Sequence, residues 1–196
     1  GVEDLKIDGS AQASRSSSNK SMVNFRFADQ CWIKGVEISY GASHFMLRNT
    51  TNCEVRDSYF HDPVGGVYLN GSDNAYGQLQ LSSNTLIENN IFSKMLAPII
   101  YAGASNNVVG YNYILNLSSS NPPQITSAIN INHGAFGSFN LVEGNISPQA
   151  SADGYYGNSS HGTMFRNYLL GTDAWKNRCD QRALWLDYGQ LYYTAV

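Results

Sequence analysis

The stretch from His133 to His161 holds the chain's densest set of groups able to move protons: His133, Glu143, Asp153, Tyr155, Tyr156 and His161, set in Gly-, Asn- and Ser-rich text. Removing an acidic C–H proton takes a base and a cation that steadies the enolate beside it. His133 or Tyr156 could act as that base, with Arg48 as the cation. Hydrolysis between two sugars takes a different set, a pair of carboxyls roughly 5–10 Å apart. Asp153 with Glu143 or Asp62 supplies such a pair. His133 and His161 suit a structural place at strand ends equally well. The choice depends on the elements that carry these groups.

Those elements form a repeat. Six copies of one six-residue pattern run through the chain: Ile33–Ile38, Val55–Phe60, Ile87–Phe92, Val109–Ile114, Val142–Ser147 and Phe165–Leu170. Their first positions lie 22, 32, 22, 33 and 23 residues apart, and a weaker copy starts at Val2. A fixed period of this size means stacked units, each too small to bury a core alone. First and sixth positions are apolar almost throughout, so both are expected inside. The fourth holds Asn90, Asn112 and Asn145. An Asn at a bend tolerates left-handed backbone and can bond its copies above and below, which predicts an asparagine ladder.

A second alternating signal precedes each copy. Phe25/Phe27, Leu47/Asn49 and Leu79/Leu81 lie eight and six residues upstream, and Ile99/Tyr101, Ile129/Ile131, Tyr155 and Leu184/Leu186 continue the series. Helical periodicity is absent. Three short strands per turn, each pairing with its copy in the next, predict an all-β fold. It is a single-stranded right-handed parallel β-helix, about seven coils of ~22 residues, in one domain over residues 1–196.

The stacking also predicts columns. Second positions (Lys34, Arg56, Glu88, Gly110, Glu143, Arg166) face out, with Arg56–Glu88 and Glu143–Arg166 as surface ion pairs. Fifth positions (Glu37, Tyr59, Ile91, Tyr113, Ile146, Leu169) face out yet are apolar. Cover by a loop or partner is expected there, because contiguous exposed apolar surface is uncommon; a platform for sugar rings is the other use. Cys31 and Cys53 share a column with Thr85, Asn107, Asn140 and Thr163. They read as two reduced cysteines, since a disulfide draws Cβ atoms closer than strands stand. No Cys/His spacing resembles a zinc site.

Long insertions fall at about Gly9–Asn24, His61–Tyr76, Leu115–Ser127 and Gly171–Arg182, after every second coil. They would project from one flank at roughly twice the strand spacing. Beside them the outward residues of the upstream strand are Arg48, Gln80, Asn130, Asn132 and Tyr156, and the loops add Asp62, Asp73, Asp173, Trp175, Lys176 and Arg178. Amide, guanidinium and aromatic groups suit hydroxyl-rich, planar-faced ligands such as polysaccharides.

A net charge of −3 with 14% charged residues gives no electrostatic case for nucleic acid or an anionic membrane. No apolar run approaches the ~20 residues that span a bilayer. The chain opens directly in a coil and closes just after Leu184-Trp185-Leu186 without an amphipathic cap. That suggests a fragment of a longer chain, or a homo-oligomer stacking end to end.

On its Ile-x-x-Asn-x-Ile-like pattern the chain resembles the right-handed parallel β-helix superfamily of pectate lyases, polygalacturonases, alginate lyases and phage tailspikes. More narrowly it resembles bacterial secreted β-helix repeat proteins. The resemblance covers essentially the whole chain. It implies an extracellular location, a polysaccharide partner and a loop-walled groove, while calcium comes only by analogy with the lyases. The pectate lyase Trp-Ile-Asp-His and Arg-x-Pro-x-x-Arg signatures are absent, as are the polygalacturonase motifs, so neither activity carries over. The expectation is therefore an extracellular polysaccharide-binding β-helix that also cleaves its ligand by lyase or glycosidase-like chemistry. Its catalytic candidates are His133, Asp153, Arg48 and Glu143, and its substrate-binding candidates Gln80, Asn130, Asn132, Tyr156, Asp62 and Trp175. The alternative is a structural module of a filament, adhesin or tailspike shaft without activity.

Overall fold

A computed structural model describes residues 1–11, 21–41, 43–63, 76–95, 97–117, 127–171, 182–187 and 190–196. Most of the four insertions, with Asp73, Asp173, Trp175, Lys176, Arg178 and Cys179, lie outside the described residues.

Each coil carries three short strands. Coil 1 has Val2–Glu3, Lys6–Asp8 and Ser21–Arg26; coil 2 has Trp32–Lys34, Glu37–Ser39 and Ser43–Arg48. Coil 3 has Glu54–Arg56, Tyr59–His61 and Tyr76–Gln80; coil 4 has Leu86–Glu88, Ile91–Ser93 and Ala97–Ala102. Coil 5 has Val108–Gly110, Tyr113–Leu115 and Ile129–Asn130; coil 6 has Leu141–Glu143, Ile146–Ser147 and Ala150–Ala152. Coil 7 has Thr163–Phe165, Tyr168–Leu169 and Leu184–Leu186, and Thr194–Ala195 begins an eighth. First, second and third strands stack into three sheets, A, B and C, of eight, seven and seven strands, with every recorded strand pairing parallel. The chain is a parallel β-helix, and no helix occurs among the described residues.

Inward columns make the core. Ile33, Val55, Ile87, Val109 and Val142 stand in register on sheet A with no exposure. Ile38, Phe60, Phe92 and Ile114 do so on sheet B, and Phe60 and Phe92 stack with ring centroids 5.1 Å apart. Leu47, Leu79 and Tyr101 line sheet C. Alternate residues of the central strands are thus withdrawn from water, at about 1.5–3 kcal/mol per large side chain.

The register of coil 7 differs from the sequence reading by one residue. Val142 pairs with Met164, so Met164 is inside and Phe165 stands opposite Glu143 on the outer face. Both are apolar, and a one-residue slip exchanges faces. Asn167 settles the register, because its Oδ1 accepts from both the backbone N–H and the Nδ2 of Asn145, at 3.0 and 2.9 Å. Tyr168 replaces Leu169 in the outward fifth column, and Gly162 replaces Thr163 in the cysteine column.

The asparagine ladder is present, with a correction to its geometry. The left-handed residue is the one before the ladder position: Gly35, Asp57, Asn89, Tyr111, Gly144 and Arg166 have φ of 52–65°. The Asn itself is buried. Asn90, Asn112 and Asn145 donate Nδ2–H to the carbonyls of Val55, Ile87 and Val109 and to the Oδ1 of the next Asn, all at 2.9–3.0 Å. A second ladder occupies the cysteine column, where Asn107 donates to Asn140 Oδ1 and Asn140 to the Ala104 carbonyl. Cys31 and Cys53 are free thiols.

Other expected columns are revised. The sheet C strands end at Arg26, Arg48 and Gln80. Phe27, Asn49 and Leu81 are left-handed corners, and Phe27 and Leu81 are well exposed. Arg56 pairs with Glu54 at 3.1 Å in its own coil, in place of Glu88, whereas Arg166 does reach Glu143 at 2.6 Å. The described residues do not cover the fifth column: Tyr59, Ile91, Tyr113, Ile146 and Tyr168 are each 39–64% exposed in the single chain.

His44 offers a test of this packing. It is fully buried with Nε2 at 2.9 Å from the His61 carbonyl, and burial pushes its pKa down to about 4. The unfolded chain takes the proton near the ordinary pKa of ~6.5, so stability should be full above pH 6.5 and fall as pH drops toward 4. The loss is expected to be on the order of 3 kcal/mol. His44→Gln should flatten that slope in urea-unfolding curves taken from pH 7 to 4.5; an unchanged slope would contradict burial of a neutral imidazole.

Candidate functional site

Four of the six proton-moving groups named from the sequence, His133, Asp153, Tyr155 and Tyr156, meet beside the sheet C strands of coils 5 and 6. Ile129 and Asn130 pair with Ala150 and Ser151. Ile129 and Ile131 turn into the core, while Asn130 and Asn132, expected on the outer face, are themselves buried, with 5% and 0% exposure. Asp153 follows the coil 6 strand, one position past Ala152. Two glycines permit the close approach: a Cβ at Gly134 would sit 2.8 Å from the Gly103 nitrogen, and Gly154 turns at φ 64°.

Asp153 is the hub. Its Oδ2 accepts from His133 Nδ1 at 2.7 Å and from Asn130 Nδ2 at 2.5 Å, and its Oδ1 accepts the Tyr155 N–H at 2.8 Å. Burial pushes the carboxyl's pKa up, but the bonds from His133, the Tyr155 N–H and Asn130 outweigh it and hold Asp153 below the usual carboxylate range. The ionised acceptor places the neutral imidazole's proton on Nδ1 and leaves Nε2 with a free lone pair. Nε2 has no hydrogen bond among the described residues.

Two exposed rings flank the imidazole. Tyr155 is stacked with its centroid 5.8 Å from that of His133, and Tyr156 meets it edge-on at 5.0 Å. Asn132 donates Nδ2–H to the Gly157 carbonyl, while its buried Oδ1, like the buried Ser151 Oγ, has no partner among the described residues. The arrangement is a base braced by a carboxylate, beside aromatic faces.

The remaining candidates do not join it. Arg48 and Gln80 occupy the Asn132 column three and two strands away, about 14 and 10 Å at normal strand spacing. The Arg48–His133 pairing expected for C–H abstraction is therefore not formed. Glu143 lies on sheet A, held by Arg166 and by the Tyr111 hydroxyl at 3.2 Å. Asp62 follows a sheet B strand, held by His61 at 2.7 Å and Lys94 at 2.6 Å. Neither carboxylate shares a partner with Asp153. Trp175 lies outside the described residues. His161 has a packing role, stacked between Phe139 and Tyr192 at 4.8 and 4.9 Å.

Sequence reasoning assigned Tyr155 to a strand, where the structure makes it a wall of the site. The signal was the glycine pair around it, which marks a turn. The surface network Lys6–Glu37–His61–Asp62–Lys94 was also missed; solvent screens its outer pairs, so it adds little to stability.

Calcium does not fit this corner. It takes about six to eight oxygen ligands, and here one carboxylate is already bound by three donors. Among the described residues no three His, Cys, Asp or Glu side chains converge.

Fold and site together define a parallel β-helix protein with a carboxylate-braced histidine at one sheet end. No protein-family model, no curated protein and no solved structure matches the chain.

Proposed function

We propose that the chain is an extracellular, pectate-lyase-like β-helix that binds a polysaccharide across the His133–Asp153 corner, with His133 as a general base toward the bound sugar. One observation carries the reading: Asp153 engages Nδ1 of His133, leaving Nε2 as an unpaired acceptor on an imidazole that two exposed tyrosine rings contact. Tyrosine faces stack on the C–H faces of sugar rings, and Nε2 can take a proton from a sugar hydroxyl, a bound water or an acidic C–H. Among the described residues neither a guanidinium nor a second carboxylate contacts the pair, so the support is for a single base rather than for a two-carboxyl hydrolysis.

The test is affinity for soluble polysaccharides by calorimetry. Tyr155→Ala/Tyr156→Ala should weaken binding about tenfold or more, corresponding to roughly 1.4 kcal/mol across two rings. Unchanged affinity in a folded double variant would overturn the reading. A structural shaft is the second reading, favoured by the two buried Asn ladders that tie successive coils together. It requires that no polysaccharide bind at all.

A further inference from the structure

The outer face of sheet B carries a feature that the corner does not use. Tyr59, Ile91, Tyr113, Ile146 and Tyr168 follow one another in strict register across coils 3 to 7. Their exposures are 39, 45, 48, 41 and 64%. Tyrosine thus recurs at every second coil with isoleucine between. At normal strand spacing the rings stand about 9.6 Å apart along the coil axis.

We propose that this stripe is a binding track for a neutral, extended β-1,4-linked glycan lying along the coil axis. In such a chain each sugar is turned over relative to the last, so like faces recur every second residue. Rings at every second coil match that period, and the isoleucines support the intervening sugars. The track is on a different sheet from the corner and stands or falls without it.

Charge and width decide the occupant. The stripe borders a shallow groove of about 590 Å³ that runs past Asp57, Asn89 and Tyr111 on the left-handed corner. Asn89 Nδ2 donates to Asp57 Oδ1 at 2.8 Å, a carboxylate–amide row suited to hydroxyls. The charged residues lining the groove are Glu37, already paired with Lys6 at 2.7 Å, and Asp57, so the lining presents no cation to a polyuronate. The five side chains expose on the order of 450 Å² in single file, against the ~800 Å² per partner of a stable protein interface. That is the width of one sugar chain and too little for a second copy.

The experiment is a titration of the ¹⁵N-labelled chain with cellohexaose, chitohexaose and maltohexaose, followed by amide shifts and calorimetry. At least one β-1,4 hexamer should shift Tyr59, Ile91, Tyr113, Ile146 and Tyr168 saturably, while the coiled α-1,4 hexamer should bind at least tenfold more weakly. Tyr113→Ala should weaken β-1,4 binding about tenfold, and Tyr113→Phe should stay within about threefold of the wild type. Equal loss in both variants would refute ring stacking, and equal binding of maltohexaose would refute the linkage. A concentration-dependent dimer abolished by Tyr113→Ala, without hexamer binding, would give the stripe to a second copy and overturn the proposal. Shifts confined to His133, Tyr155 and Tyr156 would sink the track while leaving the corner standing.

Discussion

Asn112→Ala is expected to lower the unfolding free energy by about 3–5 kcal/mol, while Asn89→Gly costs less than about 1 kcal/mol. The residues differ in what they hold. Asn112 Oδ1 accepts from the backbone N–H and the Nδ2 of Asn90, and its Nδ2 donates to the Ile87 carbonyl and to Asn145 Oδ1. Removing the amide leaves the Asn90 N–H and the Ile87 carbonyl buried without these partners, at about 1–3 kcal/mol for each group. The cavity adds to the cost. Asn89 sits at φ 54°, which glycine adopts freely, and its bond to Asp57 is exposed. Urea midpoints at constant m value give the comparison. Equal, small losses would mean that the ladder follows coil stacking and does not drive it.

Asp153→Asn should cost about a hundredfold or more in any turnover that His133 supports, with ligand affinity changed by no more than a few fold. Asp153 acts through the imidazole and is a positioning residue. The carboxylate can only accept, so the proton stays on His133 Nδ1. An asparagine amide at 153 can donate, which favours the tautomer carrying the proton on Nε2 and removes the free base. Imidazole ¹⁵N shifts read that change directly and separate it from a merely structural loss. An unchanged tautomer would contradict the assignment. The depressed pKa of Asp153 has a stability consequence as well. Its contribution is present above the unfolded-state value near 3.9 and disappears as pH falls through the lower folded-state value, and the Asn variant lacks that dependence.

Why the coils were legible and the site only partly so follows from particular residues. Ile33, Val55, Ile87, Val109 and Val142 occupy one inward column where only apolar side chains fit, so the period survives insertions between copies. At coil 7 the pattern is degenerate, since Met164 and Phe165 both satisfy it; Asn167 carried the register, yet its role depends on a bond to Asn145 that spacing alone does not display. His133 and Asp153 lie 20 residues apart, near one period, which is why their region stood out in the sequence. Arg48 shares the Asn132 column but lies three coils away, and Glu143 faces outward on another sheet; coil order and strand identity, both carried by the repeat, separate them from His133. The stripe of Tyr59, Tyr113 and Tyr168 shows the limit most clearly, because alternation says which way a side chain points and says nothing of what lies over it.

The most direct test of the central claim is an amide-shift titration of the labelled chain with a panel of soluble neutral and uronate polysaccharides, read at Asn130, His133, Tyr155 and Tyr156. Saturable shifts at those four residues, lost in Tyr155→Ala/Tyr156→Ala, are the predicted result. No saturable shift with any polysaccharide, in a chain that associates coil on coil as concentration rises, would contradict it and leave a structural shaft.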